Sequence, residues 1–241
     1  MSAGLAAELC YTDAVRLRPG LAAIRRYWPS AELADGTSRG GGWVVGFPEL
    51  TVADPIRLLV SVGRPVLSQD RRDLTHTRDW QDAAKVMGAV THSVTVCEVF
   101  GTSFAPADRV RALTAVVRGL ADETGPAGVW WPASALATPP DAERPGVVNV
   151  RRHTAAGGLV LDTLGLAPLG LPDLQCVCGA LPPESIDAYL AATASRMIEG
   201  QALRAGDTVR GLTPHQRWRV EAGPVLAGPD RPVLTIAPAP R

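Results

Sequence analysis

Lysine is almost missing from this chain: Lys85 is the only one, so arginine supplies the rest of the 24 basic residues. They balance 24 acidic residues, leaving a formal net charge of +0. Without a net field to draw the molecule onto a polyanion or an anionic bilayer, neither nucleic acid nor a membrane is expected as a partner. Cysteine is scarce too, with only Cys10, Cys97, Cys176 and Cys178, too few and too scattered for a disulfide framework. Cys176 and Cys178 stand two apart, which puts both on one face of a strand. That is not the spacing of a zinc knuckle or redox motif, so they read as small buried hydrophobes and no metal is expected. GxGxxG, the P-loop, HExxH, the EF-hand loop and the GxSxG elbow are all missing, and no cofactor is expected. The Gly40–Gly42 triplet reads as a turn, because no helix follows it whose N-terminus would hold a phosphate. The opening MSAGLAAELCYTDAVRLRP has no basic region, long apolar core or small-residue cleavage site, so a cytoplasmic protein is expected. Its most apolar tract, residues 154–183, is broken by Asp162 and Asp173 and by many glycines and prolines, and is not a membrane span.

What is present is an ordinary folded composition, 46% hydrophobic and 20% charged over 241 residues. That length suits one large domain or two small ones. LAAELCYT (5–12) reads as a strand. Pro19 with Leu21, Ile24 and Trp28 reads as a short helix stopped by Pro29. AELA and WVVGF flank a glycine-rich hairpin loop. IRLLVSVGR (56–64) is a further strand, followed by a mixed-charge loop over 66–78 expected to be mobile. Trp80, Ala84 and Met87 mark a helix, and THSVTVCEVF (91–100) is a β-branched strand. Pro106 opens a helix with Val110, Leu113, Val117 and Leu120 on one face, closed by Gly125. GVWWP (128–132) is the next strand, so a right-handed β-α-β unit with two adjacent parallel strands is predicted. PPDAERP (139–145) is a turn-rich break. Beyond it come VVNVRRH, GGLVLDTL and DLQCVC as strands, a helix from Pro183 to Gly200, and two short strands in the tail. The fold class is α+β or α/β, a two-layer sheet-and-helix architecture read as two tandem ferredoxin-like lobes sharing a mixed sheet. The lobes span residues 1–138 and 146–241, within one continuous unit.

A β-α-β unit opens the carboxyl ends of both strands on one edge, where α/β sheets place ligands. Glu98, Thr102 and Ser103 follow the first strand; Trp130, Trp131 and Ser134 end the second. A carboxylate beside indole rings has its pKa raised and is suited to acid or base chemistry, while the rings suit stacking on a ligand. Glu98 is thus the candidate catalytic residue and the other five are candidate ligand contacts. The competing reading has Glu98 paired with an arginine and a tryptophan packed beneath a helix. Successive strand residues face opposite sides, so one indole is expected under the helix and the other facing away or lining the edge. His92 begins the strand of Glu98, about 20 Å from it by strand rise, and reads as structural. Arg152, His153 and Asp162 form a second candidate: a hairpin there gathers them at one surface, where they suit a carboxylate or phosphate, although paired arginines are usually a solvated face.

Read in order, VTHSVTVCEVF, GPAGVWWPASALATPP, GGLVLDTLGLAPLGLPDLQCVC and EGQALRAGDTVRGLTPHQRWRVEAGPVLAGPDRPVLTI resemble a bacterial domain-of-unknown-function family. That family has a "YWG"-like strand end and a "DGDTVG"-like closing segment; here Trp130 and Pro132 replace the Tyr and Gly, and Cys176 stands at a commonly acidic position. The resemblance implies a cytoplasmic bacterial α/β protein from secretion, toxin-immunity or biosynthetic gene neighbourhoods, and carries no catalytic residue. Two functions are therefore expected to compete. One is a non-enzymatic binding or accessory protein, immunity-like, with a protein partner. The other is a small-molecule enzyme of a biosynthetic pathway working at the Glu98/Trp130/Trp131 edge.

Overall fold

Alternation of apolar side chains decides where each strand lies, and the computed structural model follows it closely. It describes residues 4–17, 21–34, 42–51, 55–63, 73–100, 103–155, 158–228 and 230–238. The chain forms two compact units, residues 1–147 and 148–241. The expected mobile loop over 66–78 falls largely outside the described residues.

The first unit holds β1 (Ala6–Tyr11), β2 (Glu32–Ala34), β3 (Trp43–Thr51), β4 (Pro55–Gly63), β5 (His92–Phe100), β6 (Gly128–Trp131) and β7 (Leu136–Thr138). They make a seven-stranded sheet in the order β2-β3-β4-β5-β1-β6-β7, every neighbouring pair antiparallel. β5 and β6 do run parallel on either side of the helix α2 (Pro106–Thr124), but they are not adjacent. β1 lies between them and pairs with both, so this is a split β-α-β unit. The N-terminal strand brings two further ladders of hydrogen bonds and the apolar side chains of Leu5, Ala7 and Leu9. Proline opens α2 and Gly125 ends it at φ 58°, the left-handed conformation that a residue with Cβ adopts only with strain.

α2 lies against the sheet face carrying Leu9, Val94, Val96 and Val129, all buried. Tyr11 is on that face, its hydroxyl 2.7 Å from Thr124 Oγ1 at the end of α2. Burial pushes its phenol up to about 12, against a smaller lowering by Thr124. A phenol raised in the folded state contributes stability that is complete below pH 10 and lost as pH rises toward 12. Stability is therefore expected to fall by roughly 2–3 kcal/mol across that interval. Chemical denaturation at stepped pH should show the drop, and Tyr11→Phe should abolish this component of it.

The expected helix after Pro19 is a single 3-10 turn, Ile24–Arg26. The backbone of Ile24 presses on Gly119 of α2, where an added Cβ would sit 2.6 Å from the Ile24 Cα. Alanine would gain about 1 kcal/mol of helix propensity at position 119 but meets backbone that has no rotamer to yield. Gly119→Ala is thus expected to destabilise by about 1–3 kcal/mol net, as overpacking does, measured by urea unfolding. The opposite sheet face is covered near β6 by α1 (Ala83–Gly88), which is shorter than the Trp80–Met87 spacing predicts.

The second unit holds β8 (Asn149–Ala155), β9 (Gly158–Leu164), β10 (Asp173–Val177), α3 (Pro183–Ile198), β11 (Thr208–Arg210), β12 (Arg217–Ala222) and β13 (Val233–Pro238). Its sheet order is β11-β12-β13-β10-β9-β8, with β10 and β13 the one parallel pair. Leu161, Leu174 and Cys176 lie buried under α3 with Ile186, Leu190 and Met197. Burial, with Cys178 adding to it, pushes the Cys176 thiol up to about 12. The architecture is α+β with sheet and helix layers, as expected, but built on two separate sheets instead of one shared mixed sheet. Three strands, one helix and three strands is also not the β-α-β-β-α-β order of a ferredoxin-like lobe.

Candidate functional site

At the strand-end edge of the first unit, alternation places Glu98 on the α2 face with Val96 and Val94. There the first turn of α2 presents Arg109. The guanidinium grips the carboxylate at two points, Nε to Oε1 at 2.8 Å and Nη2 to Oε2 at 2.5 Å. The two side chains are only 3% and 4% exposed. A bidentate pair of this kind is strong, charge-assisted and fixed in direction. It leaves the carboxylate committed to the fold, as the competing reading of Glu98 expects.

The two tryptophans are separated by the sheet itself, and both are buried, at 2% and 3% exposure. Trp131 and Val129 face α2; the Trp131 Nε1 donates to Thr138 Oγ1 at 3.1 Å. Trp130 lies on the other face with Cys10, Met87, Val90 and Ala137, flanked by Leu74 and Trp80. Trp130 lines no open edge, because α1 and the stretch before it cover its face. With β1 between β5 and β6, Trp131 is two strand spacings, about 10 Å, from the strand of Glu98. The structure does not bring them together. A shallow recess on the α2 face is lined by Trp131 with Val117, Val129, Pro139 and Pro145, and Glu98 is not part of its lining.

Ser134 is fully buried and its hydroxyl donates to the Gly146 carbonyl, with the Trp131 carbonyl 3.2 Å away, which ties down the turn after β6. Ser103 is exposed ahead of α2, and Thr102 lies outside the described residues.

The second candidate is brought together in part. β8 and β9 form the expected hairpin, with Arg151 opposite Asp162. His153 Nε2 lies 3.2 Å from Asp162 Oδ1. Arg152, one residue out of phase, faces α3 instead, 3.3 Å from Glu184 and 3.2 Å from Asp187. Arg151 takes its place: Nε and Nη2 reach the two Asp162 oxygens at 3.1 and 2.6 Å.

Arg231, just ahead of β13, completes the cluster. Its Nη2 donates to Asp162 Oδ2 at 2.5 Å and its Nε to Asp173 Oδ2 at 3.0 Å. Asp173 also accepts from Thr163 Oγ1 and the Leu166 amide. Burial raises the Asp173 carboxyl, while these donors and the Arg231 charge pull it down. Two carboxylates and two guanidiniums, each at most 7% exposed, thus neutralise one another.

Over them runs the 223–228 segment, held by Gln175, whose Nε2 donates to the Pro224 carbonyl and whose Oε1 accepts from the Leu226 amide. Gly228, at φ +84°, crosses Arg151 so closely that a Cβ would meet its Nη2 at 2.7 Å. Asp173 and Arg231 sit at the starts of the parallel pair β10 and β13, the end of a sheet that serves stability more than ligands. Arg109, Arg151, Asp173 and Arg231 were not singled out from the sequence. Arg231 is 58 and 69 residues from its two carboxylate partners, and Arg109 and Arg151, though 11 residues from theirs, belong to no motif that marks them.

Residues 162–237 match the model of a family described as Domain of unknown function (DUF4261). The match runs from within β9 into β13, so it includes Asp162, Asp173, Gln175 and Arg231 but leaves β8 and the first unit outside. The expected likeness to a domain-of-unknown-function family is found over that stretch. No curated protein and no solved structure gives a significant match. Among the described residues no helix is long and apolar enough to cross a membrane.

Proposed function

We propose that the protein is a non-enzymatic binding or accessory protein of the bacterial cytoplasm, immunity-like in acting through a stable protein partner. The observation that supports this reading over a small-molecule enzyme is the closed, two-point Glu98–Arg109 pair. The carboxylate with the best sequence credentials for acid or base chemistry is spent on the fold, apart from both indoles. The cluster around Asp162 is likewise closed by its own arginines and roofed by the 223–228 segment.

The test is a chain tagged in its host cells, purified through two chromatographic steps and sized by light scattering. A complex of fixed stoichiometry is expected, retained when Glu98→Leu and Arg109→Met replace the buried pair by apolar side chains. A chain that runs alone in repeated preparations would overturn the proposal.

A further inference from the structure

The β11–β12 hairpin places like charges side by side where the fold gains nothing from it. Val209 and Trp218 point toward α3, with Trp218 against the Tyr189 ring at 4.9 Å. Their neighbours in the ladder point the other way. Arg210 lies directly opposite Arg217, and Thr208 directly opposite Arg219. Arg210, Arg217, Arg219 and Glu221 are all exposed. Like charges directly opposite one another in an antiparallel pair are destabilising. Conflict between local sequence and fold of this kind is found at functional sites. Arg217 donates to the Pro214 and Gln216 carbonyls, which fixes its guanidinium without neutralising it. Among the described residues no carboxylate forms an ion pair with any of the three arginines.

We infer that this sheet face docks an extended acidic segment of a protein partner, its carboxylates meeting Arg210, Arg217 and Arg219. The inference deepens the binding reading above and rests on it. Alternate residues of a strand repeat at about 6.8 Å, so the Arg217–Arg219 spacing equals that of carboxylates at alternate positions of an extended peptide. Arginine's planar fork suits carboxylates at two points each. Phosphates are also ligands for such forks, and Glu221 decides between them. It continues the same row after Arg219, so the face reads positive, positive, negative. An unbroken polyanion would place a phosphate against Glu221, whereas a peptide places a basic residue there. The zero net charge of the whole chain points the same way.

The full chain would be titrated against three fluorescent probes by anisotropy: the peptide Glu-Thr-Glu-Thr-Lys with neutral flanks, its charge-reversed counterpart, and an oligothymidylate. Binding of the acidic peptide is expected to exceed that of the other two and to weaken with salt. It should fall about ten-fold or more in Arg217→Glu/Arg219→Glu. Thermal unfolding of that variant should stay close to that of wild type, since relief of the Arg210–Arg217 repulsion offsets the two exposed hydrogen bonds that Arg217 gives up, which separates lost docking from lost folding. Glu221→Lys should move preference toward the oligonucleotide. Tighter binding of the oligonucleotide by wild type, no binding of the acidic peptide, or affinity unchanged by the charge reversals would each overturn the assignment. If the peptide fails while a co-purified partner stays bound to the charge-reversed variant, this surface is wrong and the binding reading stands.

Discussion

Asp162→Asn is expected to cost the second unit about 3–5 kcal/mol, the toll of leaving buried charge without its partner. The carboxylate accepts from Arg151 and Arg231 and lies beside His153. The isosteric amide keeps the volume but removes the charge, leaving two guanidiniums facing each other with Asp173 alone to answer them. The amide also turns a donor toward one of them. Hydrogen exchange of the β9 and β10 amides is the suitable readout, because two compact units make a single global transition an unsafe assumption. Protection there should fall by about two to four orders of magnitude. Exchange unchanged within about three-fold would show that the cluster contributes nothing net.

Arg109→Met alone is expected to destabilise the first unit by a similar amount, about 3–5 kcal/mol, because Glu98 is then buried without a counter-charge. The partner substitution reverses the sign of the argument. With Glu98→Leu added, the site becomes apolar at similar volume, and replacing a complete buried pair in this way is often neutral or stabilising. The double variant should therefore recover most of what the single one loses. Urea unfolding followed by tryptophan fluorescence suits the measurement, since Trp130 and Trp131 both report on this sheet. Equal losses in the single and double variants would mean that the pair matters for its shape and not for its charge.

Strand positions were legible because alternation and turn residues are local. Val94, Val96 and Glu98 on one face, Pro106 and Gly125 bounding α2, and the β8–β9 hairpin all follow from neighbours in the chain. Strand order was not legible. Nothing within LAAELCYT states that it inserts between β5 and β6, and that insertion separates Glu98 from Trp131. The edge strands β7 and β11, of three residues each, carry no periodic signal; β2, equally short, was legible only through the glycine-rich hairpin loop after it. Whether a face is covered is equally non-local: the burial of Trp130 depends on Leu74, Trp80 and Met87 arriving from elsewhere. The prediction for Arg152, His153 and Asp162 failed at one residue for a stricter reason. Adjacent strand positions face opposite sides, so a pair of arginines offers only one to the cluster, and it is Arg151.

The most direct test of the account is whether the protein's work survives removal of its best candidate acid. The Glu98→Leu/Arg109→Met chain, first shown to fold by its unfolding transition, would be purified from host cells beside wild type. The account predicts the same partner complex at the same stoichiometry from both. A folded double variant that has lost the complex, or a wild-type chain that turns over a small molecule and stops when Glu98 is replaced, would contradict it.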